Sequence, residues 1–187
     1  GAVAGAKTYY FDDVAFEGGT PPPPATWNPI TFDSSAVTYT LTGFGGADDS
    51  TVVVDPIGGT NKVARVVKSA TAELWAGTTV STGANFSVPT LPFTASSAKM
   101  TVRVYSPDAG IQVRLKVEDA ADPTKSVETE ATTTVANGWE TLTFDFANQA
   151  AGTAALNLNY TYNKASIFFN FGVTGATAGA KTYYFDD

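Results

Sequence analysis

Residues 99–118 read Lys-Met-Thr-Val-Arg-Val-Tyr-Ser-Pro-Asp-Ala-Gly-Ile-Gln-Val-Arg-Leu-Lys-Val-Glu. Met100, Val102 and Val104 alternate with Lys99, Thr101, Arg103 and Tyr105; Ile111, Val113, Leu115 and Val117 alternate with Gln112, Arg114, Lys116 and Glu118. A side-chain period of two over this length specifies β-strands with one face in a core and one in water. Ser106-Pro107-Asp108-Ala109-Gly110 between them has turn chemistry, so the stretch predicts an antiparallel hairpin. Its wet face would carry Arg103, Tyr105, Gln112, Arg114 and Lys116 together.

Outward from this pair, strand signals follow one another without a convincing helix. Upstream, β-rich segments cover residues 30–32, 37–41, 51–55, 62–68 and 73–80, with turn clusters at 43–49 and 83–85. Downstream, residues 125–134, 139–146, 166–171 and 181–187 have strand character, and residues 156–162 read as a strand or a short helix. Ten or eleven antiparallel strands at short spacing predict an all-β fold, a two-sheet β-sandwich of jelly-roll type.

The two ends of the chain carry one sequence twice. Residues 1–13 are GAVAGAKTYYFDD and residues 175–187 are GATAGAKTYYFDD, differing only at Val3 against Thr177. The offset of 174 residues is the size of an ordinary domain. It predicts one repeat of a tandem array, with residues 1–19 the last strand of a preceding repeat and residues 30–187 the repeat domain. Residues 20–29 form a linker stiffened by Pro21 to Pro24, and Trp27 is expected to cap the domain edge. One slot cannot hold two copies, so one strand should complete the sheet while the other lies outside it or pairs with a neighbouring molecule.

Composition removes several function classes. The chain of 187 residues has no cysteine and no histidine, which excludes thiol catalysis, disulfides and histidine-based general base chemistry. A net charge of −7 without a basic run argues against nucleic acid and anionic membrane surfaces as partners. No apolar stretch approaches the roughly 20 residues that span a bilayer. Glu73, Glu118, Glu128, Glu130 and Asp145 supply carboxylates, but no pair stands in a catalytic context, and a non-enzyme is expected. Cysteine-free, acidic and Thr/Gly/Ala-rich composition fits a secreted or cell-surface protein.

An opening strand ending in Phe32-Asp33, the strand Gly138-Trp139-Glu140-Thr141-Leu142-Thr143-Phe144, and the closing Tyr183-Tyr184-Phe185-Asp186-Asp187 resemble the β-jelly-roll carbohydrate-binding modules, families 4, 9 and 22 in pattern. Lys99 to Pro107 and Glu73 to Gly77 also resemble tandem repeats of secreted marine Bacteroidota proteins, some of which accompany enzymes acting on β-glucans such as laminarin. The resemblance implies polysaccharide as the partner. It also implies a structural calcium ion (Ca2+) near the first and last strands, with Asp33, Asp186 and Asp187 as ligands and Asp55 a weaker one. If residues 7–13 filled the slot, Asp12 and Asp13 would inherit that role.

Sugars present apolar C–H faces and hydroxyl rims, so a site needs aromatic planes beside guanidinium, amide or carboxylate groups. The residues of that kind are Trp75 in a glycine-rich loop, Tyr105, Arg103, Arg114 and Gln112 on the hairpin, and Phe168 and Asn170 on a late strand. Trp139, beside a turn, is expected in the core. The other reading is structural: a repeat of a giant surface adhesin or fibre, linked end to end, through the duplicated strand, to neighbouring repeats or adjacent subunits.

Overall fold

A computed structural model describes residues 29–187, which form two packed five-stranded antiparallel sheets. Residues 1–28, with the first copy of the repeated strand, Asp12, Asp13, Trp27 and most of the proline-rich linker, lie outside the described residues. In chain order the strands are β1 (Thr40–Phe44), β2 (Asp49–Val54), β3 (Lys62–Lys68), β4 (Gly77–Ser81) and β5 (Lys99–Ser106). Then follow β6 (Gln112–Asp119), β7 (Asp122–Thr132), β8 (Gly138–Asp145), β9 (Lys164–Phe169) and β10 (Lys181–Asp186). One short helix, α1, spans Gly175–Ala178. Sheet A has the order β1-β4-β9-β6-β7 and sheet B the order β2-β3-β10-β5-β8, the β-sandwich expected of a jelly roll.

The alternating stretches do form β5 and β6, but not a hairpin. β5 pairs with β10 and β8 in sheet B, whereas β6 pairs with β7 and β9 in sheet A. The intervening loop arches from one sheet to the other, tied to the end of β7 by hydrogen bonds from Gly110 N to Thr133 O (2.8 Å) and Thr133 N to Ile111 O (3.0 Å). Period-two alternation demands one buried face per strand, and two strands meet that demand equally well side by side or facing each other across a core. Arg103 and Tyr105 therefore lie on the opposite outer face of the sandwich from Gln112, Arg114 and Lys116.

Two further segments, residues 30–32, expected as a strand, and residues 156–162, expected as a strand or a short helix, form neither. Phe32 adopts a left-handed backbone (φ 57°) that ends any extended run, and its buried ring packs edge-on against Phe185 at 5.6 Å. Residues 156–162 form turns in which Asn157 N donates to the Tyr162 hydroxyl at 3.1 Å. Both segments cover core rather than extend a sheet.

The core follows the register. Ile167 and Leu115 pair across β9 and β6, as do Phe169 and Val113, all pointing inward; from sheet B come Val66, Val102, Val104, Tyr183 and Phe185. Phe169 of sheet A and Tyr183 of sheet B stack face to face at 4.7 Å and 5°, joining the layers at the centre. The duplicated strand thus has a defined place. Its C-terminal copy is β10, between β3 and β5 in the middle of sheet B.

Phe169 is 1% exposed, and Phe169→Ala should cost about 3–5 kcal/mol of unfolding free energy through lost transfer energy and a residual cavity. Urea unfolding checks this; a loss under about 1 kcal/mol would show that the stack does not hold the sheets together.

Candidate functional site

The outer face of sheet A is crossed by rows of side chains fixed by strand register. Thr79, Ser166, Lys116 and Glu128 form one row across β4, β9, β6 and β7; Phe168, Arg114 and Glu130 form the next; Lys164 and Glu118 begin a third. Together with Phe44, Trp75 and Phe171 these residues, Glu130 apart, line a groove of about 500 Å³. The groove's aromatic side is continuous. Trp75 stacks on Phe44 (6.2 Å, 19°), Phe44 meets Phe168 edge-on (5.6 Å), and Phe168 meets Phe171 edge-on (5.8 Å).

Trp75 owes its position to the chain opposite it. It precedes β4 and lies against Gly45, where a Cβ would stand 2.8 Å from the indole Cζ3 and the backbone is left-handed (φ 66°). Trp75 is 47% exposed as a residue, and Phe44 supports its indole from one side. Phe168 is 8% exposed and forms the floor.

The polar side is internally paired. Arg114 Nη1 donates to Glu128 Oε2 (2.9 Å) and its Nε to Glu130 Oε1 (2.7 Å), and its Nη2 also reaches Glu130. Gln112 Nε2 donates to the other Glu130 oxygen at 2.6 Å, and the Arg114 guanidinium sits 3.6 Å from the centre of the Phe171 ring. Lys116 and Lys164 both contact Glu118 at 2.7 Å. Burial opposes ionisation of Glu118, but the two ammonium groups prevail and hold its carboxyl below the usual range. Glu128 and Glu130 are thus partners of the cationic row rather than an independent solvated one.

Of the expected sugar contacts, Trp75, Phe168 and Arg114 line this groove, and Gln112 stands beside it, bonded to the same Glu130 that holds Arg114. Asn170 does not. Its left-handed backbone (φ 48°) ends the alternation of β9, its carbonyl accepts from Lys68 Nζ at 2.9 Å, and Phe171 takes the place on the groove that alternation had assigned to Asn170. Arg103 and Tyr105 stand on sheet B. There Trp139, expected in the core, instead points outward and half-buried, 5.8 Å from the Tyr105 ring and 4.1 Å beneath the Arg103 guanidinium. Tyr184 packs edge-on to Tyr105 at 5.9 Å, so this patch presents ring edges rather than one open plane.

The expected calcium ligands distribute unevenly. Asp55 is occupied by its own turn, accepting from Ile57 N at 2.8 Å, and Asp33 accepts from Lys62 N at 2.7 Å. Asp186 is 3% exposed; one oxygen accepts from Asn61 Nδ2 at 3.0 Å with Arg103 Nη1 at 3.8 Å, while Oδ1 is buried without a partner. Among the described residues no three carboxylates converge as a preformed cage. The fit to a cation is therefore partial, resting on the orphaned Asp186 oxygen with the charges of Asp187 and Asp33 nearby.

Burial first, then the negative charge of Asp187, pushes the Asp186 carboxyl up to about 6. The folded state then holds this proton more tightly than the unfolded state, so stability is greatest below the ordinary carboxylate pKa and falls as pH rises toward about 6. In metal-free buffer, Asp186→Asn should flatten that slope and raise stability at pH 8 by about 1 kcal/mol once solvent screening is allowed for. Thermal melts from pH 4 to 8 test it; an unchanged slope would refute the assignment.

No protein-family model matches the sequence, and no curated protein matches it. Solved structures do match in shape. A family 30 carbohydrate-binding module of the cellulosomal cellulase Cel9D-Cel44B of Clostridium thermocellum aligns with a TM-score of 0.51 at 11% identity, over 85% of this chain and 93% of its own. A family 11 module from Clostridium thermocellum, in complex with a β-1,3-1,4-mixed-linked tetrasaccharide, aligns at 0.50 and 13% identity, over 85% and 92%. Another family 30 module structure aligns at 0.51 and 9% identity, over 86% and 81%. At such identities the likeness is one of fold: this chain is built on the β-sandwich that these carbohydrate-binding modules use.

Proposed function

We propose that the chain is a non-catalytic polysaccharide-binding module of a secreted or cell-surface protein, with a β-glucan such as laminarin as its first-choice ligand. The observation that carries this reading is the outer groove of sheet A, where a half-exposed indole on an aromatic floor runs beside a row of paired polar groups. Trp75 offers a stacking plane to a pyranose ring, and the Gln112, Arg114 and Lys116 row offers donors to hydroxyls. The groove's charges balance: Arg114, Lys116 and Lys164 against Glu118, Glu128 and Glu130. That balance suits a neutral sugar, since a charged polymer would have to break existing pairs. The solved family 11 module with its mixed-linked tetrasaccharide supports the ligand class by analogy of fold.

A calcium ion at the corner of Asp33, Asp186 and Asp187 belongs to this proposal, supported by the unpartnered Asp186 oxygen. Bound there, it would supply charge neutralisation to the end of β10. The near-identical terminal sequences support a second role for the same module, as a repeat of a tandem surface adhesin.

Affinity electrophoresis in laminarin and mixed-linked glucan tests the groove. Trp75→Ala should weaken retardation at least about tenfold, as expected for a lost aromatic stack with its buried area. Tyr105→Ala, on the far sheet, should leave it within about twofold. Equal losses from both variants, or no retardation of the parent protein by any glucan, would refute the assignment. Millimolar calcium should raise the melting temperature at pH 8 in the parent protein and not in Asp186→Asn; no rise removes the ion from the reading.

A further inference from the structure

One loop carries an aromatic side chain that the core does not use. After β4 the chain turns through residues 82–88, which are tied at both ends. Thr82 N and Gly83 N donate to Ser87 O at 2.9 and 3.1 Å, and Val88 N donates to Asn163 O at 2.8 Å, beside the start of β9. At the tip, Asn85 and Phe86 are consecutive left-handed residues with φ 55° and 59°. That backbone is rare for a bulky side chain, and burial does not offset it here. None of Ala84, Asn85 and Phe86 is buried, and Phe86 is 51% exposed.

The loop sets this ring beside the groove on sheet A. The Phe86 ring centre is 5.9 Å from Lys164 Nζ, and Lys164 lines the groove, held there by Glu118. Trp75 belongs to the other end. It shortly precedes Gly77, where a Cβ would stand 2.7 Å from the Phe168 ring, and its support Phe44 meets Phe168 edge-on. Lys164 and Phe168 begin and nearly end the outward row of β9, so they are separated by about 13 Å along the strand. The row of Thr79, Ser166 and Lys116 crosses the sheet between them. An open indole and an open phenyl ring thus stand at opposite ends of one polar floor.

We propose that Phe86 is a second stacking platform for the ligand, so that the site holds a run of consecutive pyranose rings of a neutral β-glucan chain, laid along β4 and β9 from Trp75 to Phe86. This rests on the reading of the groove as a glucan site and adds what that site selects, which is chain length. A pyranose stacks on an exposed ring through its C–H face. Once one ring of a chain is seated on Trp75, the second stack forms within the same molecule, at a high effective concentration. A disaccharide on Trp75 stops short of Phe86 and gains nothing from it.

NMR titration of the parent, Trp75→Ala, Phe86→Ala and Phe86→Tyr with laminaribiose and laminarihexaose tests this, with melting temperatures to show that each variant is folded. The parent should bind the hexasaccharide at least about tenfold more tightly than the disaccharide. Phe86→Ala should weaken hexasaccharide binding about fivefold or more and disaccharide binding less than about twofold. Phe86→Tyr keeps a ring on the same loop and should retain the length preference, whereas Trp75→Ala should weaken both ligands. The inference is overturned, with the glucan site left standing, if Phe86→Ala costs both lengths equally. The same holds if it spares the hexasaccharide while Trp75→Ala weakens it. A parent protein that binds neither oligosaccharide overturns the inference and the laminarin reading together.

Discussion

Tyr183 lying flat on Phe169 is the contact through which the two sheets become one body. Each ring belongs to an interior strand of its own sheet, β10 in sheet B and β9 in sheet A, so the stack couples the layers where neither has an edge. Around it the sandwich adds a polar tie. Lys68, 2% exposed on β3, spans the gap to donate to the carbonyls of Phe169 and Asn170 at 3.2 and 2.9 Å. Burial lowers the pKa of this ammonium, and the two carbonyls give its protons partners. Aromatic area supplies most of the attraction here, and the lysine fixes how β3 sits against the end of β9.

That rigid interior leaves the outer face of sheet A free to carry chemistry. A sheet buried on one side must display alternate residues on the other, and in this chain those residues fall into complementary rows. Aromatics accumulate toward β1 and β9, and ion pairs toward β6 and β7, so the groove has an apolar bank and a polar bank. Because each cation already has a carboxylate, the polar bank is preorganised, with little rotamer freedom left in its side chains. The exposed indole is the exception, held from beneath rather than enclosed.

Much of this was written in local patterns. The alternation of residues 99–105 and 111–118 identified both strands and the orientation of every side chain on them, and Trp75 stood out by its glycine-rich setting. The partner of each strand did not show. Alternation encodes which face is buried and is silent on whether the neighbour lies beside the strand or across the core, which separated Arg103 and Tyr105 from Arg114 and Gln112. Single backbone reversals were also invisible: Phe32 takes a left-handed conformation that is rare for its type and ends an expected strand, and Asn170 takes one that puts Phe171 on the groove in its place. Trp139 went the same way, since β8 lies at the edge of its sheet and the ring finds cover from Tyr105 and Arg103 instead of the core. The ligand set for a cation was drawn from the resemblance to jelly-roll modules, and backbone N–H groups already engage two of its carboxylates, Asp55 within its own turn and Asp33 across to Lys62.

The order of the strands in sheet B has a consequence for how the molecule is made. β10 is the last strand of the chain and the middle strand of its sheet, with β2 and β3 on one side and β5 and β8 on the other. During synthesis the two flanking pairs emerge first and expose facing edges with nothing between them. Sheet B closes only when residues 181–186 have left the ribosome, after every other strand of the sandwich has emerged.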